Sequence, residues 1–176
     1  MKFNRNNSGA FTLIELVVVM TIAGILAATA VPAMMKASDR RLHRASHELA
    51  THVKFARSLA VATGRRTWVK FKTNQEWYRV YIDHPTLPGR GNRLDVTHPV
   101  TGASTFLVTL DQDDFEGVTL DSADFGGTVE LSFDRYGQPY TGWAVLLSLD
   151  GTVTISADGA TRTVRVTAET GMVQEE

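Results

Sequence analysis

Hydrophobic and polar positions divide the chain into stretches of different period. From Ala10 to Met35 the sequence AFTLIELVVVMTIAGILAATAVPAMM is apolar apart from scattered small polar residues and one acid, Glu15, and Leu16 to Met35 carries no charge. A helix of about 20 such residues rises roughly 30 Å, enough to cross the hydrocarbon core of a bilayer, so a transmembrane helix is predicted over 11–35. Beyond it Leu42, Ala45, Leu49, Val53, Ala56 and Ala60 recur at spacings of three and four, while Arg40, Arg44, His47, Thr51 and Lys54 fall opposite. That pattern predicts an amphipathic helical stem over 36–63 with one face packed. Gly64 is placed to end it, and Pro32, which lacks a backbone donor, predicts a kink inside it. From Phe11 to Thr63 the helix would be about 80 Å long at 1.5 Å per residue.

After Gly64 the period becomes that of strands. Thr67 to Lys72 alternates, Trp77 to Ile82 is aromatic and β-branched, and the two predict a hairpin across Thr73 to Glu76. Asp83 to Ser104, with three prolines and three glycines, reads as a long loop without an assigned role. Thr105–Leu110 and Val118–Leu120 read as strands around an acidic turn, Asp111 to Glu116. Val129–Phe133, Ala144–Leu149, Val153–Ser156 and Thr161–Thr167 follow, separated by the turn sequences Tyr136-Gly137-Gln138-Pro139, Asp150-Gly151 and Asp158-Gly159. These predict an antiparallel meander, with a short edge strand near Thr170 to Val173. The expected fold class is α+β, a long N-terminal helix packed on a C-terminal antiparallel β head over 64–176.

The apolar stretch has a second reading as a secretory signal peptide, since Lys2 and Arg5 form a basic start and small residues cluster at Ala27 to Ala30. Its length exceeds an ordinary signal core, and a carboxylate held within a membrane helix is costly unless paired with a cation. The residues around that acid resemble a known signal. Ser8-Gly9-Ala10-Phe11-Thr12-Leu13-Ile14-Glu15-Leu16 is similar to the processing site of type IV pilins and type II secretion pseudopilins. The resemblance implies that a prepilin peptidase removes a leader, residues 1–10, on the cytoplasmic side and methylates the new N-terminus, and that the membrane helix is kept.

Members of this superfamily usually carry Gly directly before the new N-terminal Phe, whereas Ala10 stands here between Gly9 and Phe11. Cleavage after Ala10 sets Glu15, Gly24 and Pro32 at the family's offsets from the new terminus, and cleavage after Gly9 displaces all of them, so Ala10/Phe11 is favoured. Glu15 then has an electrostatic role in assembly. The α-amino group of Phe11 on a neighbouring subunit would neutralise it and set the axial register, with pairing to its own N-terminus as the alternative.

Farther along, Leu131-Ser132-Phe133-Asp134-Arg135-Tyr136-Gly137-Gln138-Pro139, Val164-Arg165-Val166 and Thr170-Gly171 resemble the C-terminal half of the GspH/FimT group of minor pilin-like proteins. Two functions follow from that resemblance. One is a minor pseudopilin of the H type, a structural subunit at or near the tip of a periplasmic type II secretion pseudopilus. The other is a FimT-like minor pilin of a type IV pilus, involved in pilus assembly or DNA uptake. The FimT branch has a basic GRxR signature near its C-terminus, and here the corresponding stretch is Gly171-Met172-Val173-Gln174-Glu175-Glu176. Acidic tails repel phosphate, which favours the secretion branch.

Charge sharpens the question of partners. The net charge of −1 conceals ten Lys/Arg against two acids between Lys36 and Lys72, and six against sixteen from Thr73 onward. A basic stem and an acidic head suit either plain solvation, head-to-stem attraction between subunits, or contact of the stem with anionic lipid or nucleic acid. Lys54, Arg57, Arg65 and Arg66 are the candidate DNA or partner contacts. Lys36, Arg40 and Arg41 outweigh Lys2 and Arg5, so the positive-inside rule does not set orientation. The resemblance implies an inner-membrane, single-pass protein with a cytoplasmic N-terminus and a periplasmic head, its partners being other pilins or pseudopilins, the peptidase and membrane lipid.

Catalytic and metal chemistry find little support. Cysteine is absent, and no nucleophile-elbow motif links His84 or His98 to a serine. His43 and His47 share a helical face without a third ligand and read as solvated surface. Asp111 to Glu116 offers oxygen ligands but lacks the glycine and spacing of an EF-hand, so it reads as an acidic turn. Gly89-Arg90-Gly91-Asn92-Arg93 lacks the context of a phosphate loop. No enzyme activity, cofactor, metal or small-molecule substrate is expected.

Overall fold

The computed structural model describes residues 12–142 and 145–176, with the side chains of 27–36 outside the described set. The chain divides into two compact units, residues 1–37 and 38–176. One helix, α1 (Leu13–Thr63), supplies the described part of the first and opens the second. Its start is built by Thr12-Leu13-Ile14-Glu15. The Thr12 Oγ1 accepts the backbone N–H of Glu15 at 3.3 Å, and an acid in the first turn complements the positive end of the helix. From Leu13 to Leu26 the apolar side chains lie exposed, with Leu13 82% and Ile25 66% accessible.

No helix among the described residues is long and apolar enough to cross a membrane. The span expected over 11–35 includes Phe11 and 27–35, which lie wholly or in their side chains outside the described residues. The kink expected at Pro32 lies there too.

In the second unit α1 presents Leu42, Ala45, Leu49, Ala50, Val53, Ala56 and Ala60 to the core, all buried, while Arg40, Arg44, His47, Thr51 and Lys54 are exposed. Gly64, at φ +67°, follows the last turn in the left-handed conformation that a helix end favours. The hairpin comes next. Strands β1 (Thr67–Lys72) and β2 (Trp77–Asp83) pair antiparallel, with Thr67 opposite Ile82 and Lys72 opposite Trp77. Thr67 donates to the Ala56 carbonyl at 2.7 Å, so Thr67, Val69 and Phe71 face the helix and Trp68, Lys70 and Lys72 face away.

The remaining strands are β3 (Arg93–Asp95), β4 (Leu107–Thr109), β5 (Thr119–Asp124), β6 (Glu130–Phe133), β7 (Pro139–Thr141), β8 (Val145–Leu146), β9 (Gly151–Ala157), β10 (Ala160–Val166) and β11 (Val173–Glu175). They form two antiparallel sheets, and the strands do not pair in chain order as the expected meander would have them. One has the order β3-β2-β1-β6-β7-β8, with β4 pairing a second part of β2; the other runs β11-β10-β9-β5.

Asp150-Gly151 shows why the meander divides. It is not a hairpin turn: Asp150 accepts the Ala168 N–H at 3.0 Å and pairs with Arg165, tying it to the end of β10. At Gly151 a Cβ would lie 2.3 Å from the Phe125 ring, so the backbone enters the core where no side chain fits. β9 therefore starts the second sheet, where it pairs with β10 and β5. The long loop expected over Asp83 to Ser104 also holds a strand, since β3 adds to β2 through Tyr81 and Asp95. Phe106, Phe125, Leu120, Ile155 and Val164 join the helix face and the inward residues of β1, β2 and β6 in one core.

Candidate functional site

The residues of the expected processing site, Gly9, Ala10 and Phe11, lie outside the described residues. Glu15 occupies the first turn of α1 with its side chain exposed, next to apolar neighbours that are also exposed. This helix face offers dispersion and one carboxylate to whatever surrounds it. Water leaves the apolar residues uncovered at a cost of about 25 cal/mol per Å².

The four basic residues proposed for DNA or partner contact do not form one patch of uncommitted charge. Lys54 is exposed. Arg57 donates Nε to the Gly137 carbonyl at 3.1 Å and Nη2 to the Thr170 carbonyl at 3.0 Å. The guanidinium thus fastens α1 to the turn after β6 and to the turn between β10 and β11. Gly171 makes that meeting close: at φ +64°, its missing Cβ would stand 2.6 Å from the Gly137 oxygen. Arg65 donates to the Asp83 carbonyl. Arg66 donates to the Ser132 hydroxyl at 3.0 Å and lies 4.2 Å over the Tyr140 ring.

Part of the charge asymmetry is used within the chain. Arg41 donates to the Glu116 carbonyl at 2.7 Å, Arg44 lies 3.9 Å from Asp114, and His47 lies 3.0 Å from Glu175. The basic stem therefore meets acidic groups of its own head. The Arg44 and Asp114 side chains are both largely exposed, so that pair adds little stability but matches the surfaces.

The outer face of the first sheet explains the segment after β2. Glu130 on β6 is 3% exposed, and its Oε2 lies 3.0 Å from both Arg90 and Arg93, with Lys70 at 3.7 Å from Oε1. Burial opposes ionisation, but hydrogen bonds and charge from Arg93 and Arg90 outweigh it and hold the carboxyl below its usual range. Arg93 also stacks 3.8 Å over Trp68, whose Nε1 donates to Asp83 at 2.7 Å. Gly89 to Arg93 thus serves as a cover pinned to the sheet, with both its arginines on a carboxylate.

Sequence reasoning missed a buried polar group on the helix. His52, 4% exposed, has Nδ1 2.7 Å from the Tyr78 hydroxyl, its ring edge-on to His98 and Phe106 at 5.3 and 4.7 Å. Burial, aided by His98, lowers its pKa from 6.5 to about 4. Its place three residues after Leu49, on the buried stripe, was the available signal. His43 is exposed, and His47 pairs with Glu175 rather than with His43. Among the described residues no group of His and acids is arranged to hold a metal ion.

A long N-terminal helix packed on an antiparallel β head is the pilin-like fold. The solved minor pseudopilin EpsH of the Vibrio cholerae Type 2 Secretion System shares it, at a TM-score of 0.57 and 13% identity over 77% of this chain and 96% of that one. The type IV minor pilin FimU of Pseudomonas aeruginosa is similar at a TM-score of 0.50 and 16% identity, over 78% of this chain and 90% of its own. The family model for Type II transport protein GspH matches residues 45–171, and that for the prokaryotic N-terminal methylation motif matches residues 5–31. No curated protein matches the sequence. The chain belongs to the GspH family, and it is a structural subunit of the minor pseudopilin and pilin kind.

Proposed function

We propose that this chain is a minor pseudopilin of the H type, a subunit at or near the tip of a periplasmic pseudopilus that drives type II protein export. The reading is carried by one combination: a methylation motif over 5–31 followed in the same chain by a GspH head over 45–171. Prepilin peptidase cuts between Ala10 and Phe11 and methylates Phe11. Residues 11–35 then hold the protein in the inner membrane with the head in the periplasm, and 36–63 form the stem below the head. Glu15 pairs with the N-terminal amine of a neighbouring subunit, where low dielectric strengthens the attraction and fixes register.

The acidic end of the chain supports secretion over DNA capture. Glu175 and Glu176 are held by His47 and Arg165, so carboxylates border the turn where the FimT branch carries its basic signature. A type IV minor pilin is the second reading, favoured by the fold likeness to FimU.

Mass spectrometry of the membrane-extracted protein tests the first step. An N-methylated chain beginning at Phe11 is expected; an intact leader, or a chain cut after Ala30, overturns the reading. Glu15→Val should leave membrane insertion intact and reduce incorporation into filaments. Unchanged incorporation would remove the register role.

A further inference from the structure

Just beyond the C-terminal end of α1, three segments enclose a cleft of about 290 Å³: Gly64 to Arg66, the turn after β2 with Pro85 and Pro88, and Asp134-Arg135 after β6. Its acids and cations differ in how far they are satisfied. Asp83 is 3% exposed and accepts from Trp68 at 2.7 Å. Asp134 accepts the N–H groups of Tyr136 and Gln138 at 2.9 Å each, and the Tyr140 hydroxyl at 3.3 Å. Arg65, by contrast, is bonded to a neutral carbonyl, and its Nε is buried without an acceptor. Among the described residues neither Arg65 nor Arg135 has an ion-pair partner, and Arg135 lies 5.8 Å over the Tyr136 ring. Along the chain each lining segment is neighboured by an exposed apolar side chain: Val61 in the last turn of α1 at 52%, Leu87 between Pro85 and Pro88 at 62%, and Tyr136 after Arg135 at 74% accessible.

We propose that this cleft docks an acidic segment of a neighbouring pilin-like subunit. A carboxylate enters between Arg135 and Arg65, and apolar residues beside it cover Val61, Leu87 and Tyr136. The proposal rests on the assembly reading above. The two acids in the wall and the carbonyl end of α1 offset part of the cationic charge, so the cleft suits one or two carboxylates better than a run of phosphates. A second copy of this chain is a poor occupant. Its terminal glutamates are already held by His47 and Arg165 of its own chain.

Replacing Tyr136 in the full-length chain with the photo-crosslinker p-benzoylphenylalanine, in cells that build the filament, tests the proposal. Asp158, in the turn between β9 and β10, is the comparison position. Illumination should link position 136 to an acid-bearing peptide of another pilin-like subunit, and Arg135→Glu should cut the yield about tenfold, the effect of losing and reversing one charge at a partly desolvated contact. Arg135→Lys, which keeps the charge, should restore most of it. In vitro, a capped peptide of alternating Asp and Glu should bind the detergent-solubilised chain in a salt-sensitive way. A single-stranded oligonucleotide should bind more weakly.

A link to lipid, nucleic acid or a second copy overturns the proposal, as does an unchanged yield in Arg135→Glu or tighter binding of the oligonucleotide. If the chain enters filaments yet position 136 links to no subunit, the docking site fails and the assembly reading stands. If the chain never enters a filament, the assembly reading fails and the docking site with it.

Discussion

Acid should weaken the head through His52. Its imidazole is 4% exposed and hydrogen-bonded to Tyr78, and burial together with His98 depresses its pKa from 6.5 to about 4. A histidine depressed in the fold takes its proton more readily once unfolded. Its contribution to stability is therefore complete above about pH 6.5 and is lost as pH falls toward about 4. At about 1.4 kcal/mol per pKa unit the whole loss is about 3 kcal/mol, of which about 2 kcal/mol falls between about pH 7.5 and about pH 5.

The groups around His52 modify that slope. His98, also lowered by burial, adds with the same sign. Glu48 is raised by burial and by Asp114 against the pull of Arg44, so its protonation favours the fold and subtracts. Tyr78, raised well above its ordinary range by burial and by Glu48, stays neutral throughout. Urea unfolding of the full-length protein in neutral detergent, followed by tryptophan fluorescence across this pH range, measures the effect. His52→Phe alone would strand the Tyr78 hydroxyl, at a cost of about 1–3 kcal/mol, so His52→Phe with Tyr78→Phe is the cleaner comparison. The double variant should lose most of the slope. A wild-type stability that stays level or rises from about pH 7.5 to about pH 5 would refute the reasoning, and so would an unchanged slope in the double variant.

Arg57→Ala removes two charged hydrogen bonds that join the helix to two turns and should destabilise the head by about 2–3 kcal/mol, whereas exposed Lys54→Ala should stay within about 0.5 kcal/mol. Thermal unfolding distinguishes them; equal effects would mean that Arg57 does not fasten the corner. Glu130→Gln leaves Arg93 covered without its counter-charge, should cost about 3 kcal/mol, and should speed amide hydrogen exchange in β3 and the segment before it. Unaltered exchange there would show that other contacts hold the cover.

Local periodicity made the second unit's helix legible, because a stripe from Leu42 to Ala60 is repeated within the helix itself. The first hairpin was legible for the same reason: β1 and β2 alternate, and a short connection sets their register. The methylation motif could also be read directly, as a contiguous run of residue types, and the GspH head from short segments of its C-terminal half. The division into two sheets could not. It depends on β5 and β9 finding each other across more than two dozen residues, and on Gly151 fitting against Phe125, a contact with no local signature.

The charged residues show the same limit. Sequence shows that Arg57, Arg65, Arg90 and Arg93 are cations, but hydrogen-bond partners are chosen by distance in the fold. Arg57 reads as surface charge until two turns bring their carbonyls to it. His52 reads as one more polar residue until β2 carries Tyr78 against the helix. The sequence by itself determined the helix, the first hairpin, the family and the methylation motif, because these depend on neighbours along the chain. Tertiary structure alone decided which charges are paired inside the head and which, at Arg135 and Arg65, have no ion-pair partner among the described residues, because desolvation and pairing depend on neighbours in space.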